Sequence, residues 1–337
     1  MADRARVFVT RNLPGRAIDV LRQAADVEVW PEELPPAPDA LRKRLRDRDA
    51  ILSLLTEKID AELLEAAPGL LVVSNMATGF DNVEVLAATE RKVLVTRTPG
   101  VLSETTADFA FALMLAAARR VAEGDRYTHE GKWKTWGPET LLGVDVYGAT
   151  LGIVGMGGIG TEVAKRARGF GMRIFYTSRT RKPLVEEELG AEFCSFEYLL
   201  RESDFVTLHL PLTDETRRMI NSRTLSMMKP TAVLINTGRG PLIDQENLYE
   251  ALKDGVIAAA ALDVTDPEPM TSDDRLLTLP NVIVTPHIAS ASVATRSRMA
   301  MLAAENLLTA LRGEMPELAV NPEVGEAWKA RVRERFG

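Results

Sequence analysis

The chain has 337 residues, 46% of them hydrophobic and 26% charged, proportions that suit a soluble globular protein long enough for two domains rather than one. Its 41 basic and 48 acidic residues give a net charge of -7 with no dense Lys/Arg block, so it lacks the electrostatic footprint for nucleic acid. Cys194 is the single cysteine and cannot close an internal disulfide, MADRARVFVTR has no signal-peptide apolar region, and no apolar run is long enough to span a bilayer; the expectation is a cytoplasmic protein without a membrane partner.

In chain order, short β-branched runs alternate with helical stretches rich in Ala, Leu, Glu and Arg, the pattern of an α/β fold. ARVFVT, VEVW, AILSLL, LLVVSN and VLVTRT read as strands with helices such as AIDVLRQA between them. Their continuous apolar runs suit strands covered on both faces, and the first doubly wound unit is expected to end near Pro99. Ser103 caps a long helix that is expected to run through TTADFAFALMLAAARRVAEG to Gly124. It is too apolar for solvent all round, and an internal linker between domains and a subunit interface fit it equally. Six further strands follow: TLGIVGMG, RIFYTS, DFVTLHL, AVLINTG, AAALDV and VIVTPH. They match a complete dinucleotide-binding sheet. The last amphipathic helix, VATRSRMAMLAAENLLTALRG, lies beyond them, and the charged tail EAWKARVRERFG is expected to be exposed.

GMGGIG places Gly155, Gly157 and Gly160 between the strand LGIV and the helix TEVAKRARGF. Glycines at this spacing permit a tight turn and close approach of the backbone to a pyrophosphate, which then sits on a helix N-terminus. Gly158 and Ile159 fall in the same turn. An NAD site usually carries Asp or Glu about 20 residues further on, to accept from the ribose 2′-hydroxyl. Here the chain reads YTSRTRK, and Ser178, Arg179, Thr180 and Arg181 supply hydroxyls and cations without a carboxylate. That chemistry suits a 2′-phosphate, so NADPH is the expected cofactor and NADH the alternative.

Three more strand ends read NTGRG, LDVTDPEP and TPHIA, and contribute Arg239, Glu268 and His287. Ligands in open α/β sheets lie beyond the carboxyl ends of strands. Hydride addition to a carbonyl leaves charge on oxygen, so such a site needs a cation to hold the substrate and a proton donor. Arg239 can fork a carboxylate and polarise the neighbouring carbonyl. His287 can deliver the proton, and a hydrogen bond to Glu268 would favour the charged imidazole, raising it from about 6.5 toward working pH. His209 reads as a packing or cofactor-contacting residue and His129 as exposed; with no ligand-spaced partners for either, no metal site is expected.

In order and spacing, GMGGIG, HLPLTDETRRMIN, NTGRGPLID, AALDVTDPEP and TPHIASAS resemble the D-isomer-specific 2-hydroxyacid dehydrogenase family over nearly the whole chain. The resemblance implies two doubly wound domains: a flavodoxin-like substrate domain made of residues 1-99 and 288-337, and a Rossmann-type dinucleotide-binding domain spanning 100-287. Hydride transfer is implied in the cleft between them. The family's Arg, Glu, His triad falls on Arg239, Glu268 and His287. The likeness further implies that Asp263 contacts the nicotinamide amide and that Thr106, Pro211 and Thr237 line the cofactor cleft. Within the family the chain is most similar to glyoxylate and hydroxypyruvate reductases, through FVTRNLP, YTSRTR, LDVTDPEPM and NLLTALRGEMP. The loop NMATGFDN then puts the substrate carboxylate on the amides of Thr78 and Gly79, with Ser290 beside His287 as a further substrate contact. Thr78 stands where many relatives have Val, and argues against a phosphite-oxidising branch that has Lys. WKTWGPETLLG resembles the arm of a homodimer, in which Trp136 either packs the interface with Trp133 or reaches a neighbouring pocket.

The expected activity is NADPH-dependent reduction of short 2-oxo acids, glyoxylate to glycolate or hydroxypyruvate to D-glycerate. A wider 2-oxoacid or 2-ketogluconate reductase fits nearly as well. D-3-phosphoglycerate dehydrogenase fits less well, because it commonly carries regulatory sequence after the core. A dinucleotide-sensing corepressor of the same fold is the reading from another class, and long basic or disordered partner-binding tails are missing from the sequence.

Overall fold

The computed structural model describes residues 4–337, which divide into two compact units. One comprises the chain up to Leu102 together with Ala291–Gly337, the other Ser103–Ser290. The expected domain limits lay at 99/100 and 287/288.

In the first unit β1 (Arg6–Val9), β2 (Asp26–Val29), β3 (Ala50–Ser53), β4 (Val72–Asn75) and β5 (Leu94–Thr96) form a parallel sheet in the order β2-β1-β3-β4-β5. β1 and β3–β5 are almost wholly buried, because helices cover both faces, which is why these strands read as unbroken apolar runs. The helix Val293–Leu311 returns from the far end of the chain and packs on β3, β4 and β5. Ser292 caps it by accepting from the Thr295 amide at 3.1 Å, and its buried face carries Met299, Ala300, Ala303, Ala304 and Leu307.

The charged tail differs from expectation. Gly325–Phe336 is a helix docked on the first unit, with Trp328 fully buried and Val332 4% exposed. Charge does not expose it, because its arginines are occupied. Arg331 Nη1 donates to the carbonyls of Leu70 and Arg91 at 3.0 and 2.8 Å, and Arg335 Nε donates to the buried Asp49 at 2.8 Å. The apolar stems of such side chains pack while their heads find acceptors.

In the second unit β6 (Thr150–Val154), β7 (Arg173–Thr177), β8 (Glu192–Phe193), β9 (Phe205–Leu208), β10 (Val233–Asn236), β11 (Ala259–Leu262) and β12 (Val282–Val284) form a seven-stranded parallel sheet in the order β12-β11-β10-β9-β6-β7-β8. The apolar runs of the sequence predict six strands. β8 is an edge strand of two exposed residues, too short and polar to show as an apolar run. The order reverses between β6 and β9, the switch point at which open α/β sheets bind ligands.

The long helix expected from Ser103 to Gly124 is two helices, Ser103–Ala118 and Val121–His129. The break falls at Arg120, which has φ 53° and whose guanidinium is held by both oxygens of Glu123 at 2.8 Å. Ser103–Ala118 buries Ala107, Ala110, Phe111, Leu113 and Met114 in the core of its own unit. Val121–His129 buries nothing.

Trp328 is fully buried, and its indole Nε1 has no hydrogen-bond partner among the described residues. Trp328→Ala should therefore cost about 3–5 kcal/mol as a cavity. Trp328→Phe, which removes an unsatisfied donor along with some packing, should cost about 1 kcal/mol or less. Denaturant unfolding measures both; equal losses would show that the docking depends on the indole nitrogen.

Candidate active site

The glycine motif leads directly from β6 into the helix Gly158–Gly169. Gly155 has φ 102°, and a Cβ there would lie 2.5 Å from the His209 carbonyl oxygen, so only glycine makes this turn. At Gly160 a Cβ would lie 2.1 Å from the Gly155 oxygen, whereas at Gly157 it would meet nothing within 4 Å. The turn and the strand-to-helix packing are thus tight while the Gly157 side is open. No side chain caps this helix: Gly157 stands at its N-cap, which leaves the first amides and the positive end of the dipole for an anion. These residues fit a dinucleotide pyrophosphate.

β7 ends at Thr177, followed by the expected loop. Ser178 Oγ donates to the Thr180 carbonyl at 2.6 Å and shapes the bend. Arg179 is exposed. Glu215, in the loop after β9, is held below the usual carboxylate range by the Thr213 hydroxyl, by its own backbone and, through space, by Arg179. Arg181 stands apart from the expectation that it faces a phosphate: its Nε and Nη2 both reach Glu186, with the shortest contact at 2.7 Å.

β10, β11 and β12 are neighbours in the sheet, and their carboxyl ends supply the triad. Asn236 at the end of β10 donates from Nδ2 to the Arg239 carbonyl at 2.9 Å and accepts from the Gly238 amide at 3.0 Å. Gly240 has no room for a side chain, because a Cβ would lie 1.9 Å from the Thr265 oxygen. The segment bearing Arg239 is therefore locked against the one leading to Glu268. His287 Nδ1 lies 2.6 Å from Glu268 Oε1, with the two side chains 23% and 34% exposed. A carboxylate only accepts, so Nδ1 carries the proton of that bond and the chemistry of the ring falls to Nε2.

Asp263 holds this arrangement in place. It is 1% exposed, and its carboxylate accepts from the Thr285 hydroxyl at 2.6 Å and from the amides of Ile288 and Ala289 at 2.9 and 2.7 Å. His287, between them, adopts φ 54° and donates its amide to the Asp263 carbonyl at 2.9 Å. Non-glycine residues seldom enter this region, and functional residues held there by their surroundings are the recurring exception. No local pattern in the sequence signals this bracing role.

Of the remaining expected cofactor residues, Thr106 and Thr237 are buried and Pro211 is exposed. Ile159 and Ser290 are half-buried. Thr237 Oγ1 lies 3.4 Å from His209 Nδ1, and Thr207 Oγ1 lies 2.8 Å from His209 Nε2. Burial pushes the His209 imidazole down to about 3. In the first unit, the Thr78 and Gly79 carbonyls accept from Arg97 Nη1 and Asn75 Nδ2 at 3.3 and 3.2 Å. Trp133 and Trp136 are 65% and 81% exposed, and His129 is exposed. Among the described residues no cluster of His, Cys, Asp and Glu could hold a metal, and no helix is long and apolar enough to cross a membrane.

A parallel sheet with a glycine-lined helix N-terminus at its switch point, and a paired histidine and carboxylate at neighbouring strand ends, defines a Rossmann-type oxidoreductase domain. Comparison gives the family. Residues 111–289 match the model of the D-isomer specific 2-hydroxyacid dehydrogenase NAD binding domain. The glyoxylate reductases of Korarchaeum cryptofilum and Aeropyrum pernix are 56% and 51% identical to this chain over 95% of its length, covering 96% and 97% of theirs. A crystal structure of a protein from Thermus thermophilus is 50% identical with a TM-score of 0.88, covering 94% of this chain and 99% of its own. An NADPH-dependent glyoxylate/hydroxypyruvate reductase of Sinorhizobium meliloti, solved with NADP and malonate, is 33% identical with a TM-score of 0.84, covering 94% and 97%. The protein belongs to the D-isomer-specific 2-hydroxyacid dehydrogenase family. It is an NAD(P)H-dependent oxidoreductase that reduces a 2-oxo acid.

His209, half-buried beside Thr207 and Thr237, sets an acid-side prediction. Its folded value of about 3 lies below the ordinary 6.5, so the unfolded chain binds the extra proton between these limits. The stability tied to neutral His209 is present above about pH 6.5 and is lost as pH falls toward 3. Wild type should lose up to about 1.4 kcal/mol per pH unit more than His209→Asn. Urea unfolding between pH 6.5 and 5 compares the two; parallel slopes would mean that His209 takes up a proton without penalty.

Proposed function

We propose that the protein is an NADPH-preferring reductase of glyoxylate and hydroxypyruvate, with His287 as proton donor. The observation that carries the proposal is the 2.6 Å contact of His287 Nδ1 with Glu268. It leaves Nε2 as the nitrogen that gives up a proton, on a ring whose backbone is fixed by Asp263.

The reduced dinucleotide, when bound, supplies the hydride. Arg239 binds the substrate carboxylate through its fork and polarises the adjoining carbonyl. As the carbonyl carbon gains the hydride, the carbonyl π pair moves to oxygen and takes the Nε2 proton from His287. Glu268 orients the imidazole and stabilises the charged ring before that transfer. The small substrate class is supported by the relatives named glyoxylate reductase, at 51–56% identity in the two described above. The preference for NADPH is supported by Ser178, Arg179 and Thr180 in the loop after β7, where a carboxylate would serve a bare 2′-hydroxyl. The relative from Sinorhizobium meliloti, solved in complex with NADP and malonate, supports a short carboxylate as the substrate class.

His287→Ala should lower turnover by a factor on the order of 10² to 10⁴ while NADPH still binds. Steady-state rates with glyoxylate and hydroxypyruvate, each with NADPH and NADH, test the whole reading. A higher kcat/KM with NADH would overturn the cofactor preference, and an unchanged rate for the variant would remove His287 from the chemistry.

The protein is further proposed to act as a homodimer. Support comes from the segment between Val121 and Tyr147, where Val121, Trp133, Trp136, Leu142 and Tyr147 are each more than half exposed, an apolar density that marks interfaces. Light scattering should give twice the chain mass for wild type and a shift toward monomer for Trp133→Glu/Trp136→Glu. A monomeric wild type would sink the proposal.

A further inference from the structure

The loop after β7 contains two arginines at which a 2′-phosphate could be read, and the structure treats them differently. Tyr176 is a fully buried residue of β7. Its phenol donates to Glu186 Oε1 at 2.6 Å and accepts the Lys182 amide at 2.7 Å. Glu186, on the helix Pro183–Leu189, is thereby fixed from the inside of the fold, and its side chain is 16% exposed. Arg181 is 67% exposed, yet its Nε contacts both Glu186 oxygens at 2.8 and 3.0 Å and its Nη2 contacts one at 2.7 Å. One whole edge of the guanidinium is committed to a carboxylate that does not have to be ordered for the purpose. Surface ion pairs usually contribute little because two mobile chains must be immobilised; here one partner is already held.

We propose that Glu186 sets the strength of discrimination between phosphorylated and unphosphorylated dinucleotide by withholding Arg181 from a 2′-phosphate that Arg179 reads. The inference rests on the preceding reading that this loop meets the adenosine ribose. Bidentate recognition of a phosphate needs a guanidinium edge, and Glu186 occupies the Nε–Nη2 edge of Arg181. Arg179, two positions earlier, is exposed and acts on Glu215 through space. A single reading arginine favours the phosphorylated cofactor while leaving the other usable. Glu186 is thus a positioning residue, and it acts through Arg181.

The test is calorimetric titration of the full-length protein with 2′,5′-ADP and with 5′-AMP, in parallel with KM for NADPH and NADH. Glu186→Gln keeps an acceptor for Tyr176 but loses the charge that holds Arg181. It should bind 2′,5′-ADP about tenfold more tightly, since one charge-assisted contact is gained, with 5′-AMP unchanged and the NADPH preference raised in step. Glu186→Ser should act in the same direction, and covers the case in which Gln disturbs the fold. The double variant Arg181→Gln/Glu186→Gln should return to wild-type affinity, because the gain requires the released guanidinium. Tightening retained in the double variant would show that removal of a negative charge is sufficient, and would overturn the proposal. Unchanged or weaker 2′,5′-ADP binding in both single variants would overturn it as well. Arg179→Ala separates the underlying reading: it should bring 2′,5′-ADP down toward 5′-AMP affinity, and if wild type already binds the two equally, the 2′-phosphate reading itself fails.

Discussion

The buried carboxylate of Asp263 is the constraint on which the catalytic end of the molecule depends. A carboxylate that is 1% exposed must have its oxygens filled with donors, because an unmet buried charge costs several kcal/mol. Three of its donors come from one short stretch: the Thr285 hydroxyl and the Ile288 and Ala289 amides. Satisfying that charge draws the chain around itself immediately after β12. His287 is carried into a left-handed backbone conformation that costs on the order of 1–3 kcal/mol, and its amide is taken by the carbonyl of the same aspartate. The imidazole is then presented to Glu268 at 2.6 Å. The role proposed for His287 needs the ring positioned before the reaction, and that positioning comes through the backbone on either side of it.

The dinucleotide half of the site follows a different rule, in which charge is left unmet. Backbone amides at the start of the helix Gly158–Gly169 have no side-chain cap, and Gly157 opens the space in front of them. A helix N-terminus of this kind is electrostatically incomplete until an anion arrives. At β7, by contrast, the charges are partly met in advance, since Glu186 is bound to Arg181 and to the buried Tyr176. One strand thus ends in an open anion site and the next in a buffered one.

The candidate site residues are legible because each belongs to a short local pattern. GMGGIG can be read from glycine spacing, and Arg239, Glu268 and His287 from their place after apolar runs that had to be strands. The long-range partners of the same residues were not. Asp263 was read only as a contact of the cofactor, because nothing local says that its lone pairs are filled by residues 285–289. Arg181 was grouped with Arg179, because the sequence shows their charge and not the Glu186 carboxylate that takes one of them. The tail EAWKARVRERFG was read as exposed from its charge, although Asp49 and the carbonyls of Leu70 and Arg91 lie where its arginines can reach.

The alternation of strands and helices, the glycine turn and the residue types at the strand ends are readable along the chain. These depend on periodicity, backbone sterics and the spacing of neighbours along the chain, all written locally. Which polar groups satisfy one another, where the long helix breaks at Arg120, and that a two-residue strand closes the sheet edge emerge only in the folded chain. The reason is physical: hydrogen-bond satisfaction and burial depend on distance in space, and residues 263 and 289, or 49 and 335, become neighbours only when the sheets have formed.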